Sequence, residues 1–209
     1  MLSINYLSFI WRSTINIFYV NSDPKLAAQS MVDRHVVKMI IETAQLLSTA
    51  HRMLDGVQEA QKTARGRNIK RYVLSDSRED HLYKSTHANH PSAVWARESL
   101  DNYKWLHAHL IALGDEYTHR YGKQHSTMKS VARILETTPT NLRRNAMTKM
   151  PSCMAVEFII SDDPIVNYRN YYNKGKKDLH RWSNREPPVW IDGAVVSQRV
   201  KDKTIYTTI

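Results

Sequence analysis

The segment from Asp33 to Arg52 constrains the fold more than any other part of this sequence. Its apolar residues recur with the period of an α-helix, and they occupy a much wider arc than its polar residues do. An ordinary surface helix has a broad polar face. We therefore predict a long helix from Asp33 to about Leu54 that packs on several sides and presents one narrow polar arc. Six side chains share that arc: His35, Lys38, Glu42, Gln45, Thr49 and Arg52.

Other helices are predicted from their start signals. Asp23-Pro24 and Asp163-Pro164 each combine a capping carboxylate with a proline at the first helical position. Between them we expect a helix from residue 91 or 92 to about 113 with a break at Gly114, and a shorter helix over 126–136 that Ser126 caps. Residues 15–20 are expected to form a short buried strand, and residues 55–91 show little periodicity. The fold class is therefore mostly α, with a short N-terminal strand.

Length and composition indicate one compact helical domain. The chain has 209 residues with only 6 glycines and 7 prolines, which disfavours a turn-rich β-sandwich. We expect an N-terminal extension over 1–13, a domain over 14–192 and a C-terminal tail over 193–209. Deleting residues 1–13 should leave folding and activity intact. Cys153 is the only cysteine, so no internal disulfide can form, as is typical of a reducing compartment.

The charge of the chain points to a polyanionic partner. Lys and Arg number 30 against 20 Asp and Glu, giving a formal net charge of +10. Phosphate backbones, anionic membranes and acidic proteins are all attracted to such a surface. No apolar run is long enough to span a membrane, and we expect no membrane partner. The expected partner is nucleic acid, specifically DNA, and the protein is expected to be a monomer. A basic enzyme of unrelated function has the same composition.

Lys38 and Glu42 are the strongest catalytic candidates. They are four residues apart, so their side chains can meet on one helix face. The structural alternative is an ordinary ion pair worth a few tenths of a kcal/mol. If apolar neighbours desolvate them, an amine and a carboxylate suit chemistry at a sugar anomeric carbon, where the amine attacks and the carboxylate moves a proton.

A second polar cluster precedes a helix start. His87, Asn89 and His90 lie just before Pro91, where free backbone N–H groups favour anions such as phosphate. A metal site formed by these histidines with His35 is possible in principle, but no Cys or acidic cluster accompanies them, so we expect capping and hydrogen bonding and no metal or cofactor. The side chains expected to bind substrate are His35, Gln45, His87, Asn89, His90, Arg97 and Arg169.

Basic residues elsewhere are expected to contact a nucleic-acid backbone. Residues 62–71 carry five positive charges and no acid, which indicates a mobile basic loop or a solvated helix edge. Residues 168–190 interleave aromatic and basic side chains, a pattern that suits both a phosphate backbone and an unstacked base. The predicted backbone contacts are Lys62, Arg65, Arg67, Lys70, Arg71, Arg143, Arg144, Lys174, Lys176, Lys177 and Arg181.

These motifs together resemble a known family. The segment Val32-Asp33 … Lys38-x3-Glu42-x2-Gln45-x-Leu47, followed by Asn89-His90-Pro91-Ser92-x2-Trp95, is similar to phage and bacterial proteins described as pyrimidine-dimer DNA glycosylases. The later Asp163-Pro164 … Tyr168-Arg169-x-Tyr171-Tyr172 … Trp182 … Pro188-x-Trp190 also resembles phage members. The similarity covers roughly residues 15–190.

The resemblance implies a helical DNA-repair enzyme, in the cytoplasm of a bacterial host if the protein is from a phage. Such an enzyme cleaves an N-glycosidic bond and can nick the abasic product. The best-studied enzymes of this activity use an N-terminal α-amine with a Glu, whereas here the amino terminus lies in an apolar extension. Lys38 would then supply the amine, or Glu42 would position a water. Two other functions stay open: a phage transferase acting on an altered DNA base, and a non-enzymatic DNA-binding or inhibitor protein.

Overall fold

The protein is described by a computed structural model that covers residues 15–192 and the backbone of two further strands, 196–200 and 203–207. Most of its regular secondary structure is helical, which confirms the predicted fold class. The helices are α1 (Pro24–Gln29), α2 (Asp33–Asp55), α3 (Arg78–His81), α4 (Pro91–Ala96), α5 (Leu100–Tyr121), α6 (Ser126–Ser130) and α7 (Pro164–Gly175). Short 3-10 turns lie at Ile134–Glu136, Val156–Phe158 and Lys177–Leu179.

Two antiparallel hairpins accompany the helices. Strands β1 (Val57–Lys62) and β2 (Asn68–Val73) pair with each other, as do β3 (Val196–Val200) and β4 (Lys203–Thr207). The expectation of a basic loop or helix edge over residues 62–71 is therefore wrong. A tight turn with Gly66 at φ 76° reverses the chain, and the Thr63 amide donates to the Arg67 carbonyl at 2.9 Å.

Helices α2 and α5 form the centre of the core. A stripe of side chains along α4 and α5 is buried, formed by Trp95, Leu106, Leu110, Leu113 and Tyr117. The single helix expected from residue 91 is two helices, because Ser99 caps α5 by accepting from the Asn102 amide at 3.1 Å. Gly114 does not break α5. A Cβ there would lie 2.6 Å from Met128, so the glycine makes room for α6 to pack.

Asp33 begins α2 but does not cap it. The N-cap position is Val32, which makes no side-chain cap hydrogen bond. The carboxylate of Asp33 instead accepts from Arg120 at 2.9 Å and from the Ser183 amide at 2.9 Å. Arg120 also pairs with Glu116 at 2.6 Å. This buried network ties the start of α2 to α5 and to the chain after α7.

Residues 15–20 are buried, as expected, but they form no strand with any described residue. Phe18 has φ 56°, in the left-handed region, so the segment bends where a strand would run straight. At the end of this segment, the Val20 carbonyl accepts from Arg169 Nε at 2.9 Å. The chain thus passes under α7 and beside α2. Among the described helices, none is long and apolar enough to cross a membrane.

Candidate functional site

The polar arc of α2 is open along only part of its length. Lys38 is exposed, and Glu42 and Gln45 are partly exposed. Beyond them, Thr49 and Arg52 are fully buried. The Thr86 amide donates to Thr49 Oγ1 at 3.1 Å, which shows that the chain before α4 closes this end. The exposed part of the arc is therefore short and ends under residues 83–87, and we call this part the trough.

Glu42 is the centre of this trough. Its Oε1 lies 2.8 Å from Lys38 Nζ, and its Oε2 accepts from the Asn16 main-chain amide at 3.2 Å. The Glu42 side chain is only 13% exposed, whereas that of Lys38 is 55% exposed. The carboxylate is thus held on both oxygens, while the amine remains accessible to a large ligand.

Asn16 is fixed by its own side chain. Its Nδ2 donates to the Cys153 carbonyl at 2.8 Å, and its Oδ1 accepts from the Tyr168 hydroxyl at 3.0 Å. The same Oδ1 accepts from the amides of Ile17 and Phe18 at 2.7 and 3.2 Å. These contacts set the direction of the Asn16 amide toward Glu42. The sequence analysis missed Asn16, and the signal for it was an amide side chain inside an otherwise apolar run.

His35 lies beneath the trough and not within it. Its Nδ1 is 2.6 Å from the Tyr172 hydroxyl, and its ring stacks on Phe18 at 4.2 Å between centroids. Burial, with smaller contributions from Lys176, Lys38 and Arg34, lowers the pKa of His35 to about 3. The neutral imidazole of His35 holds Phe18 in place. Because His35 is buried, it cannot make the direct contact with substrate that the sequence predicted.

The His-Pro cluster borders the same site. His90 Nδ1 accepts from the Ser92 amide at 3.2 Å, which makes His90 the N-cap of α4. Ser92 Oγ in turn donates to Cys153 Sγ at 3.4 Å, and the Cys153 carbonyl is the partner of Asn16. The start of α4 and Asn16 therefore share one neighbour. Burial and the nearby His87 lower the pKa of His90.

His87 and Asn89 lie at the closed end of the trough. Both side chains are exposed, and His87 has φ 50°, a left-handed conformation that few residues with a side chain adopt. Thr86, the residue before it, is the partner of Thr49 on α2. The turn that follows Thr86 thus exposes two polar side chains at the closed end of the trough.

Arg97 and Arg169 lie away from Glu42. Arg97 is at the far end of α4, where it donates to the Ala93 carbonyl at 2.7 Å and lines a cavity of about 340 Å³ together with Arg143. Arg169 donates to the Val20 carbonyl and lies over the Trp190 ring at 5.3 Å. Arg169 therefore anchors residues 15–20, a positioning role that its aromatic-basic sequence context did not indicate.

The remaining predicted backbone contacts fall on three surfaces. Lys62, Arg65, Arg67, Lys70 and Arg71 are on the first hairpin, and Arg143 and Arg144 are in the exposed chain after the Ile134–Glu136 turn. Near the end of α7, Lys176 lies over the Tyr171 ring at 4.8 Å, and Lys174 and Lys177 are exposed. Arg181 Nε is 3.6 Å from Asp33, at a cavity of about 480 Å³.

The chemistry available at Glu42 is that of an amine and a carboxylate. Within residues 15–192, no three His, Cys, Asp or Glu side chains are grouped so that they could hold a metal ion. Cys153 is buried, and burial raises the pKa of its thiol, which disfavours a thiolate nucleophile. The groups that can reach a ligand are the Lys38 amine, the Glu42 carboxylate and the polar side chains of Gln45, His87 and Asn89.

Comparison with known proteins identifies the family. The family model described as pyrimidine dimer DNA glycosylase matches residues 15–130, which is more than half of the chain. No curated protein and no solved structure matches at a significant level. The matched range begins one residue before Asn16 and includes Lys38, Glu42 and the start of α4. The chain therefore belongs to the pyrimidine dimer DNA glycosylase family.

Proposed function

We propose that this protein is a DNA base-excision enzyme, an N-glycosylase with AP-lyase activity that acts on pyrimidine dimers or other altered pyrimidines in duplex DNA. The observation that carries the proposal is the Glu42 carboxylate, held within 2.8 Å of the Lys38 amine and within 3.2 Å of the Asn16 amide nitrogen. Family membership supports the substrate class.

The proposed reaction uses the amine as the nucleophile. The neutral amine attacks C1′ of the altered nucleotide, the N-glycosidic bond breaks, and its electron pair leaves with the base, which takes up a proton. The sugar ring then opens to an imine between C1′ and the amine. Glu42 accepts the amine's proton and passes it to O4′ as the ring opens, which returns Glu42 to its ionised form. Glu42 then removes a C2′ proton, and the C3′–O bond breaks with its electron pair leaving on the phosphate. Water hydrolyses the imine and regenerates the enzyme.

The target nucleotide has to leave the helix to reach Glu42. Enzymes that act on a base extrude it from the stack into a pocket, and the trough on α2 provides the corresponding surface here. Gln45 on the open part of α2, together with His87, Asn89 and His90 in the turn before α4, is proposed to bind the extruded nucleotide. Lysines and arginines on the surrounding surfaces are proposed to bind the phosphates.

Two nitrogens next to Glu42 could supply the amine. Lys38 Nζ is one. The Asn16 nitrogen is the other, but it is acylated by Ile15 in this chain, and an amide nitrogen is not nucleophilic. A chain whose first residue is Asn16 would convert this nitrogen into an α-amine 3.2 Å from the same carboxylate. Only its distance from Glu42 supports the Asn16 nitrogen, and the experiment tests it in parallel with Lys38.

Borohydride trapping on a duplex with one thymine dimer distinguishes these nitrogens, because borohydride reduces an imine to a stable covalent complex. We expect the full chain to be trapped and Lys38→Ala to lose the complex. Lys104→Ala, which removes an exposed lysine from α5, is the matched control and should be trapped normally. If Lys38→Ala is trapped as well as the full chain, Lys38 is not the nucleophile.

A chain released by a protease so that it begins at Asn16 completes the experiment. If its α-amine acts, Lys38→Ala in this shortened chain will retain the trapped complex, and mass spectrometry of the digested complex will place the sugar on Asn16. Base release without trapping by any of these chains would indicate hydrolysis through a Glu42-bound water. The absence of base release by both lengths of chain would contradict the proposed function.

A further inference from the structure

The first hairpin has two chemically different faces. Residues directly opposite each other in an antiparallel pair have side chains on the same face. The register pairs Gln58 with Tyr72, Ala60 with Lys70 and Lys62 with Asn68, and these six side chains form what we call the lysine face. The other face, which we call the mixed face, carries Val57, Val73, Glu59, Arg71, Gln61 and Ile69.

Positive charge is concentrated on the lysine face and at the turn. Lys62 and Lys70 lie on that face without an acid, whereas the mixed face carries Glu59 directly opposite Arg71. Arg65 and Arg67 extend the positive charge through the exposed turn. None of the ion pairs among the described residues includes these four cations or Arg71, but only Arg71 has an acid directly opposite it. One face of the hairpin is therefore a free cationic surface.

The base of the hairpin is rigidly attached to α2. Arg52 is fully buried and donates to the Tyr72 carbonyl at 3.0 Å and to the Tyr83 carbonyl at 2.7 Å. A Cβ on Gly56 would lie 2.5 Å from the Arg52 carbonyl and 3.0 Å from that of Val73, so only glycine allows the chain to turn this closely into β1. The base of the hairpin is thus fixed to α2, whereas β1 and the turn are exposed.

Strand β2 and helix α4 both pack against α2. On the lysine face, the hydroxyl of Tyr72 donates to Gln58 at 3.0 Å. Arg97 and Arg143 line one cavity at the end of α4, and the start of the same helix borders Glu42 through Ser92 and Cys153.

We propose that the lysine face of the first hairpin, with its turn, binds the phosphates of duplex DNA on one side of the target nucleotide. Charge complementarity identifies the partner, since a free cationic surface suits the polyanion that the proposed function requires at Glu42. A two-stranded ribbon is also narrow enough to follow a DNA groove. The location of the altered nucleotide rests on the proposed function, whereas DNA binding by the hairpin can be measured without catalysis.

The geometry sets how far from the target this contact lies. Glu42 and the end of α2 are about 20 Å apart at 1.5 Å per residue, and a six-residue strand adds up to about 20 Å. At 3.4 Å per base pair, the hairpin can therefore contact DNA at most about 12 base pairs from the target nucleotide. A duplex shortened on that side should lose the contact, and one shortened on the other side should keep it.

The test compares two neighbouring residues on opposite faces in a Glu42→Gln background, where DNA is not consumed. Lys70→Ala should weaken binding to a long duplex about three- to tenfold at moderate salt, and should lower the slope of log affinity against log salt by about 0.9, the value for one phosphate. Arg71→Ala removes the same charge from the mixed face and should change affinity by less than about twofold. Equal losses in both variants would overturn the proposal.

Two further measurements separate the possible failures. Glu59→Gln raises the net charge from the mixed face. Unchanged affinity supports the proposal, and tighter binding, as expected from net charge alone, contradicts it even if Arg71→Ala does not fold. With a duplex shortened on the hairpin side, Lys70→Ala should bind as the parent does, and a persisting loss would also contradict it. Absence of base release by the unmodified chain would reject the proposed function but leave the hairpin result standing.

Discussion

Asn16, Tyr168 and Cys153 determine how Glu42 is presented. The Tyr168 hydroxyl donates to Asn16 Oδ1 at 3.0 Å and accepts from the Cys153 amide at 3.2 Å. Tyr168 is fully buried, and burial raises the pKa of its hydroxyl well above its ordinary value. The hydroxyl is therefore neutral, and its hydrogen bonds connect Asn16 to the Cys153 amide. Its effect on chemistry is indirect, because it holds Asn16 and Asn16 holds Glu42.

Replacing Tyr168 by Phe tests whether these hydrogen bonds position Asn16. We expect a loss of about 1 to 3 kcal/mol in the free energy of unfolding, since buried partners lose their hydrogen bond, and a lower rate of base release. Urea unfolding and a single-turnover assay measure the two effects. Tyr171→Phe is the matched control on the same helix, because the Tyr171 hydroxyl takes no part in the Asn16 contacts. Similar losses in both variants would show that Asn16 does not depend on Tyr168.

At the scale of elements, the fold was predictable where the signal is local. The Asp-Pro signals correctly predicted the starts of α1 and α7, and the apolar periodicity predicted α2. The first hairpin was not predicted, because both of its faces are largely exposed and carry no regular apolar alternation. For the site, the Lys38–Glu42 pair follows from spacing on one helix. The role of Asn16 does not, since its contacts with Glu42, Cys153 and Tyr168 join residues 26 to 152 positions apart in sequence.

Arg52 shows why an element's attachment can escape sequence analysis. It lies on the polar arc of α2, yet it is fully buried and donates to the carbonyls of Tyr72, Glu79, Leu82 and Tyr83. It also pairs with the Glu79 carboxylate. A guanidinium has enough donors for this set. Arg52 therefore fixes the base of the hairpin and the chain that closes the trough.

Arg52→Met should destabilise the protein by about 3 to 5 kcal/mol, because it removes the ion pair with Glu79 and leaves four main-chain carbonyls without their hydrogen-bond donor. Lys84→Ala is the control. Lys84 pairs with the same Glu79 but is 57% exposed, so its loss should cost less than about 1 kcal/mol. Urea unfolding measures both. A cost below about 1 kcal/mol for Arg52→Met would show that Arg52 is not the anchor of this region.

At the scale of the whole molecule, stability depends on histidines buried in their neutral form. Burial lowers the pKa of His35 to about 3 and that of His51 and His109 to about 4. In the unfolded chain each would titrate near its ordinary value of about 6.5. The unfolded state therefore binds more protons below that pH, so this contribution is complete above about pH 6.5 and is lost as pH falls toward the folded values.

We expect the free energy of unfolding to fall by up to about 1.4 kcal/mol per histidine for each pH unit below about 6.5. Urea unfolding at about pH 7.5 and about pH 5 measures this slope. His109→Gln should reduce the slope, whereas His119→Gln, at an exposed position, should leave it unchanged. Stability that is constant across this range would contradict the neutral, buried state of these side chains.

We propose that the α2 trough does the chemistry while other surfaces bind DNA. Phosphate contacts position a protein on DNA, and the exposed cations of the hairpin and of the end of α7 are proposed to make them. Glu42 contributes no positive charge, so Glu42→Gln should leave phosphate binding intact. An ion pair on the surface that served only stability would be worth less than about 1 kcal/mol and would not affect turnover.

The most direct test is base release by Glu42→Gln from a duplex with one thymine dimer, measured beside binding to the same duplex and folding by circular dichroism. We expect folded protein and unchanged affinity, with base release reduced by at least about 100-fold, the scale of losing a general acid–base group. Base release at the rate of the unmodified protein, with binding intact, would show that the trough is structural and would contradict the proposed site.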